Sequence, residues 1–282
     1  MRLATLAAIA LLVPALAAAQ GRANGYGRGR GGPSTTGSAA PAVSTADGGF
    51  RQFGSWLDDA SLLEPGMGWT AVSLGHFRSS WTRQTDFPVM DVGFGLTSRL
   101  QAGITIPYYQ LSFVDGTHAS GFGDLYLSAK VSLVNPETQR AGWGLAVTPL
   151  VEILDTADAG GGRVSWAAPF TTELRTDRFR VFGSAGYFSR GAFFGGGALE
   201  APVSDRVVLT TAFTHTRSTN DNLLVEALRT PQTRTDVTAV VAWFASSSVA
   251  IFGGVGRTFS IGDDTAMITA GLSWSFVPRF VQ

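Results

Sequence analysis

The sequence predicts an all-β fold, a transmembrane antiparallel up-and-down β-barrel of about twelve strands, and three observations predict it. First, from Gly68 onward apolar and polar residues alternate in runs near the ~9–11 residues a tilted membrane-spanning strand needs. Second, the connections alternate in character. "TSRL", "RTDRF", "VSDRV" and "ASSSV" are tight polar turns, while "DGTHAS", "DTADAGGGR" and "RSTNDNLLVEALRTPQT" are longer loops. Third, only 15% of the 282 residues are charged, below the quarter or so usual for a soluble domain, and 35 are glycine. A soluble β-sandwich also alternates, but its outer face is polar and its strands run to about 5–6 residues. Here the apolar set is the one left to face outward.

The elements follow in chain order. Residues 1–19, "MRLATLAAIALLVPALAAA", carry one early positive charge, an apolar run and small residues at Ala17 and Ala19, the pattern of a cleaved signal peptide. The apolar run is short of the ~20 residues a helical span requires. The chain has no cysteine, so neither a disulfide framework nor a thiolate metal site is available. Residues 20–49 form a Gly/Ser/Arg-rich periplasmic linker that cannot bury a core. Its Arg22, Tyr26, Arg28 and Arg30 resemble an RGG-type nucleic-acid tail. On an exported chain with a formal net charge of zero, the linker reading is preferred and no nucleic-acid partner is expected. Residues 50–66 are a short periplasmic helix or lead-in: "SWLDDASLL" offers Ser55 as cap and Asp58 in the first turn, at the mouth of the barrel.

Residues 67–282 are the barrel, with both termini periplasmic. Strands are expected over 68–78, 87–97, 100–113, 121–134, 142–154, 164–176, 179–189, 192–202, 206–216, 234–245, 249–259 and 265–276. Ile104, Leu127, Val147, Leu174, Val241 and Leu272 fall on the lipid-facing parity. Trp69, Trp143, Trp243, Trp274 and Phe276 are expected in the periplasmic aromatic girdle, with Tyr108, Trp166 and Phe259 in the outer one.

The opposite parity sends Asp91, Asp124, Lys130, Glu152, Glu173, Arg175, Arg234 and Asp236 into the lumen. Lys130 is the only lysine of the chain. Asp124 and Lys130 lie six residues apart, about 20 Å along a strand, so each needs a partner elsewhere. With a turn centred near Thr138, Asp124 faces Glu152 and Lys130 faces Ala146, over which it reaches Glu173. The acidic pair Asp124–Glu152 then needs a cation such as Arg234, or a bound amine.

Two resemblances add to this reading. "TAGLSWSF" resembles the C-terminal signal read by barrel-assembly machinery, through Thr269, Gly271, Trp274 and Phe276. Six further residues follow Phe276, where such signals usually end the chain. "DDASLLEPGMGW", "GLTSRLQAGITIPY" and "GFGDLYLSAKVSL" resemble transporter-like outer-membrane β-barrels labelled "MetA-pathway of phenol degradation", with Gly121, Gly123, Asp124 and Lys130 at that family's G-x-G-D and lysine positions. The resemblance implies a barrel of about twelve strands and uptake of small, apolar or aromatic molecules. From the sequence as a whole, neither a cofactor nor enzymatic activity is expected. A structural, envelope-associated barrel with an occluded lumen is the alternative. A lipid-active enzyme comes third, because His118 lies near Asp115 and Ser120. The expected partners are outer-membrane lipid, a small-molecule solute and the assembly machinery.

Overall fold

The computed structural model describes residues 57–80, 82–136, 142–153, 163–176, 178–189, 191–219, 233–260 and 264–277. The expected signal peptide and Gly/Ser/Arg-rich linker lie outside them. The strands are β1 (Gly68–Arg78), β2 (Thr82–Thr97), β3 (Leu100–Phe113), β4 (His118–Phe122), β5 (Leu125–Val134), β6 (Trp143–Val147), β7 (Leu150–Ile153), β8 (Val164–Ala167) and β9 (Phe170–Arg175). β10 (Arg180–Phe188), β11 (Ala192–Ser204), β12 (Val207–Ser218), β13 (Thr233–Phe244), β14 (Val249–Ser260) and β15 (Asp264–Phe276) complete the set.

These fifteen segments make twelve staves, because three staves are each interrupted once. β6 and β7 are separated by Thr148–Pro149, and β8 and β9 by Ala168–Pro169. Proline has no N–H to give the ladder, so pairing lapses there without a change of course. The register runs on across the gap: Ser128 faces Leu150 and Val131 faces Val147. β4 and β5 are divided by a true bulge at Gly123–Asp124. Tyr108 faces Phe122 but Thr105 faces Tyr126, so β4–β5 carries one residue more than β3 over that stretch. Every pairing is antiparallel, and β1 pairs with both β2 and β15. The sheet is therefore a closed barrel with no free edge.

The faces are those expected. Leu127, Leu174, Val241 and Leu272 are exposed on the outside, whereas Tyr126, Lys130, Ser132, Glu152 and Glu173 are buried within. On the outer face of β1, β15 and β14 the rungs read, from the turn end upward, Val72–Leu272–Ile251, Leu74–Ala270–Gly253 and His76–Ile268–Val255. Trp143, Trp243, Trp274 and Phe276 stand outward near the short turns, and Trp166 and Phe259 near the longer connections. Trp69 departs from expectation. It lies at the turn end but points inward, packed with Leu63 and Ala71, because β1 alternates so that Trp69, Ala71 and Ser73 share the inner face.

Residues 57–66 also depart from expectation. They form no helix, and they do not stop at the mouth. The segment lies inside the barrel and runs outward to the turn end, and Leu57 through Leu63 are buried among inward side chains of the wall. Leu57 packs with Phe182, Ala198 and Ala212. The chain then turns back to the wall at Gly66, whose φ of 81° is open to glycine at little cost. Gly66 N–H donates to the Gly95 carbonyl at 2.8 Å and Gly95 N–H to that of Met67 at 2.9 Å. A Cβ on Gly95 would overlap the Glu64 carbonyl, so glycine is what lets this segment lie against β2.

Candidate functional site in the barrel interior

The interior near the short turns is built around four carboxylates and three cations. Asp58 and Asp59 come from the N-terminal segment, Lys130 from β5, Glu173 and Arg175 from β9, Arg180 from β10 and Glu200 from β11. Lys130 Nζ lies 2.8 Å from Asp58 Oδ1 and 3.2 Å from Asp59 Oδ1, and it donates to the Ser61 carbonyl at 3.2 Å. Arg180, whose side chain has no solvent exposure, reaches Asp59 Oδ2 at 2.6 Å and lies 3.7 Å from both Glu173 and Glu200. Its guanidinium also sits 4.7 Å from the centre of the Phe182 ring. Arg175 holds Glu173 at 2.9 Å and donates to Ser61 Oγ at 2.6 Å.

Backbone groups of the segment are satisfied by the wall's side chains. Ala60 N–H donates to Glu173 Oε2 at 3.0 Å, Leu63 N–H to Gln101 Oε1 at 2.8 Å, and Asp58 N–H to Ser184 Oγ at 3.0 Å. A buried extended chain needs such partners, because an orphaned amide in a dry interior costs a few kcal/mol. Burial pushes the Asp58 carboxyl up to about 6, with Lys130 opposing and Asp59 adding to that shift. Burial acts the same way on Asp59, but Lys130, Arg180 and Arg175 together outweigh it and hold Asp59 below the ordinary carboxylate value.

The predicted partner of Lys130 is therefore replaced. Lys130 binds Asp58 and Asp59, while Glu173 is held by Arg175, Arg180 and the segment's own Ala60 and Ser61. The reason is register. Ser132, not Lys130, faces Ala146, and Ala146 faces Thr171 rather than Glu173. Both hairpins are shifted by two residues from the assumed turn, which keeps each side chain on its face but changes its height. For the same reason Glu152 faces Tyr126, whose hydroxyl donates to it at 2.7 Å, and not Asp124. Asp124 sits half-buried at the bulge. Arg234 binds Asp236 on its own strand at 2.9 Å. Asp236 also accepts from Thr214 and Thr258, and Asp91 accepts from Thr105 at 2.6 Å.

Asp58, Asp59, Arg180 and Glu200 were not among the lumen residues expected from the sequence, where Asp58 reads as a first-turn helix residue. A lysine in mid-strand with no carboxylate directly opposite it, and an acidic pair flanked by buried-type leucines, were the available signals. The hydrolytic arrangement suggested around His118 is not assembled. His118 Nδ1 pairs with Ser112 Oγ at 3.0 Å, and Asp115 is engaged by the amide and hydroxyl of Thr117. Among the described residues, no three histidine or carboxylate side chains are grouped to hold a metal ion.

With this geometry in hand the chain can be set beside known proteins. It matches no protein-family model and no curated protein sequence. Among solved structures it is similar to a KdgM porin in complex with disordered oligogalacturonate (7% identity, 73% of this chain and 99% of that one, TM-score 0.51). It is also similar to the NanC porin (10% identity, 73% and 98%, TM-score 0.52). The fold is that of outer-membrane barrel porins. At such identities the likeness covers the closed twelve-stave wall and not the residues inside it.

Proposed function

We propose that the chain is an outer-membrane barrel that passes small molecules, with the segment 57–66 as its closure near the short turns. The observation that carries this reading is the inversion of the two faces. Leucine, isoleucine, valine and aromatic side chains point out from a wall without edges, while threonine, serine and charged side chains point in. In this reading the short turns and the start of β1 face the periplasm, and the longer loops face outward. Recognition by assembly machinery through Thr269, Gly271, Trp274 and Phe276 on β15 belongs to the same reading, as does export by the N-terminal signal peptide.

The solute class follows from the interior. Among described residues the inside carries the carboxylates Asp58, Asp59, Asp86, Asp91, Glu152, Glu173, Glu200 and Asp236 against the cations Lys130, Arg175, Arg180 and Arg234. An acidic oligosaccharide such as that of the KdgM complex is a poor fit to that balance. Tyr126, Leu150, Phe188 and Phe194 form an apolar inner wall toward the loop end. An uncharged or cationic small molecule with apolar or aromatic surface fits both, in agreement with the transporter-like barrels the sequence resembles. We assign the barrel no reaction.

Conductance in planar bilayers tests this. The full chain should give small openings, and an Asp58→Asn/Asp59→Asn variant, which loosens the segment, larger ones. Silence from both would favour the second reading, an occluded structural barrel, to which the enclosure of Arg180, Glu173 and Phe182 lends support. The membrane reading is tested separately. Leu127→Arg on the outer face should cost about 2–4 kcal/mol in urea unfolding from vesicles, and Ser128→Arg on the inner face less; equal losses would refute it.

A further inference from the structure

Charge is divided unequally between the two faces of the wall. Among the described strand residues the outward charges are Arg78, Arg83, Arg217, Arg257 and Asp264, and every one lies within a few residues of a loop-end connection. Arg78 and Arg83 face each other directly across β1 and β2. Arg78 faces Ala266 on β15, and Ala266 faces Arg257 on β14. Three arginines thus stand in one row over four adjacent strands, separated only by an alanine. With strands about 4.8 Å apart, the row spans about 14 Å.

Like charges set directly opposite one another destabilise a sheet. Asp264 answers Arg257 at 2.9 Å, but among the described residues no carboxylate answers Arg78 or Arg83. The depth of the row identifies what can answer them. Beneath it run the three rungs described above, apolar except for His76, and Trp274 closes the band eight residues from Ala266 on the same strand. At the usual strand rise and tilt this is about 20 Å along the barrel axis, close to the ~25 Å height of a lipid-facing belt. The arginines therefore sit where hydrocarbon ends and headgroups begin.

We infer that the Arg83–Arg78–Arg257 row is a docking surface for the phosphate of a lipid headgroup in the leaflet at the loop end. Arginine's planar fork binds phosphate in a bidentate manner, and two forks across one strand pair can share a single phosphate. The bound anion would relieve the repulsion between Arg78 and Arg83, while its acyl chains lie on Ile268 and Val255. This inference rests on the membrane half of the proposed function and is independent of permeation.

The test is to refold the full chain into phosphatidylcholine vesicles doped with either phosphatidic acid or diacylglycerol, extract it in mild detergent, and count retained lipid by native mass spectrometry. Phosphatidic acid should be retained and diacylglycerol not. Arg78→Gln/Arg83→Gln should lower retention about thirtyfold, Arg78→Lys/Arg83→Lys should keep most of it, and Arg206→Gln in a short turn should leave it unchanged. Equal retention of the two lipids by an inserted barrel, or an unchanged double glutamine variant, would overturn the inference. So would inorganic phosphate alone stripping the lipid at sub-millimolar concentration, which marks a site for the free anion. A chain that fails to insert would instead overturn the membrane reading, and this inference with it.

Discussion

Arg180 and Arg234 are both inward-facing, enclosed arginines on barrel strands, yet their partners come from different places. Arg234 binds Asp236 two residues away, and Asp236 is completed by hydroxyls from the adjacent β12 and β14. Arg180 instead binds Asp59, 121 residues earlier in the chain, and stands between Glu173 and Glu200 on neighbouring strands. The loop-end pair is part of the wall and stays with it. The turn-end network is shared with a segment that is not part of the wall, so Lys130 and Arg180 keep their aspartate partners only while that segment is docked. Placing a network of this kind in a dry interior ties the energetics of the wall to the seating of the N-terminal segment.

The largest expected effect is the one that separates the two arginines. Arg180→Leu would leave Asp59, Glu173 and Glu200 sharing Lys130 and Arg175, and should destabilise the barrel by about 3–5 kcal/mol. Arg234→Leu leaves Asp236 its hydroxyl partners and should cost about 1–3 kcal/mol. Urea unfolding in vesicles measures both, and equal losses would break the comparison. Lys130→Met comes next. It leaves Asp58 and Asp59 side by side, but the barrel can relieve the repulsion by releasing the segment, so global stability should fall by less than for Arg180→Leu. Since the chain has no cysteine, a Ser61→Cys label reports release directly. Thiol labelling should be slow in the otherwise unaltered chain and at least tenfold faster with Lys130→Met, and an unchanged rate would show that Lys130 does not hold the segment.

Smaller effects sharpen the contrast. Thr258→Val removes one hydroxyl from Asp236 and should cost about 1 kcal/mol without changing Ser61→Cys labelling, because the loop-end pair does not touch the segment. Acidity should act on the turn-end network. The Asp58 carboxyl, facing Lys130 of β5, Ser184 of β10 and its neighbour Asp59, is raised to about 6 from 3.8. Between those values the docked segment binds more protons than the free one, so docking tightens as pH falls through 6. Asp59 is lowered instead, so its contribution is present above 3.8 and is lost only as pH falls further, through its folded value. Labelling of Ser61→Cys, normalised to the unfolded chain, should therefore slow between about pH 7.5 and pH 5. A faster rate at the lower pH would contradict the Asp58 assignment.

The walls of this protein were largely legible in its sequence, because a period of two fixes which way each side chain points once a strand is recognised. Leu127 out and Lys130 in need nothing more. Height was not legible. It depends on where each turn is centred, and an error of two residues in the hairpin after β5 moved Lys130 away from Ala146 without turning it round. The N-terminal segment was misjudged for another reason. "LDDASLL" has the spacing of a capped helix, and nothing local reveals that its acids meet Lys130 and Arg180 some seventy and one hundred and twenty residues away. Arg180 itself opens β10 beside a tight turn, where an arginine reads as a solvated end.

The way residues 57–66 are fastened has a consequence for how such a protein can be altered. Every strand is held by a ladder of backbone bonds that any non-proline residue supplies, so the wall is insensitive to most single exchanges. The segment is joined to that ladder through Gly66, Met67 and Gly95, and beyond them side chains grip it, among them Lys130, Arg175, Arg180, Glu173, Ser184 and Gln101. Affinity of the insert for its housing can therefore be raised or lowered one residue at a time without redesigning the housing. A stopper and a container encoded in one chain are, in this sense, separately adjustable parts.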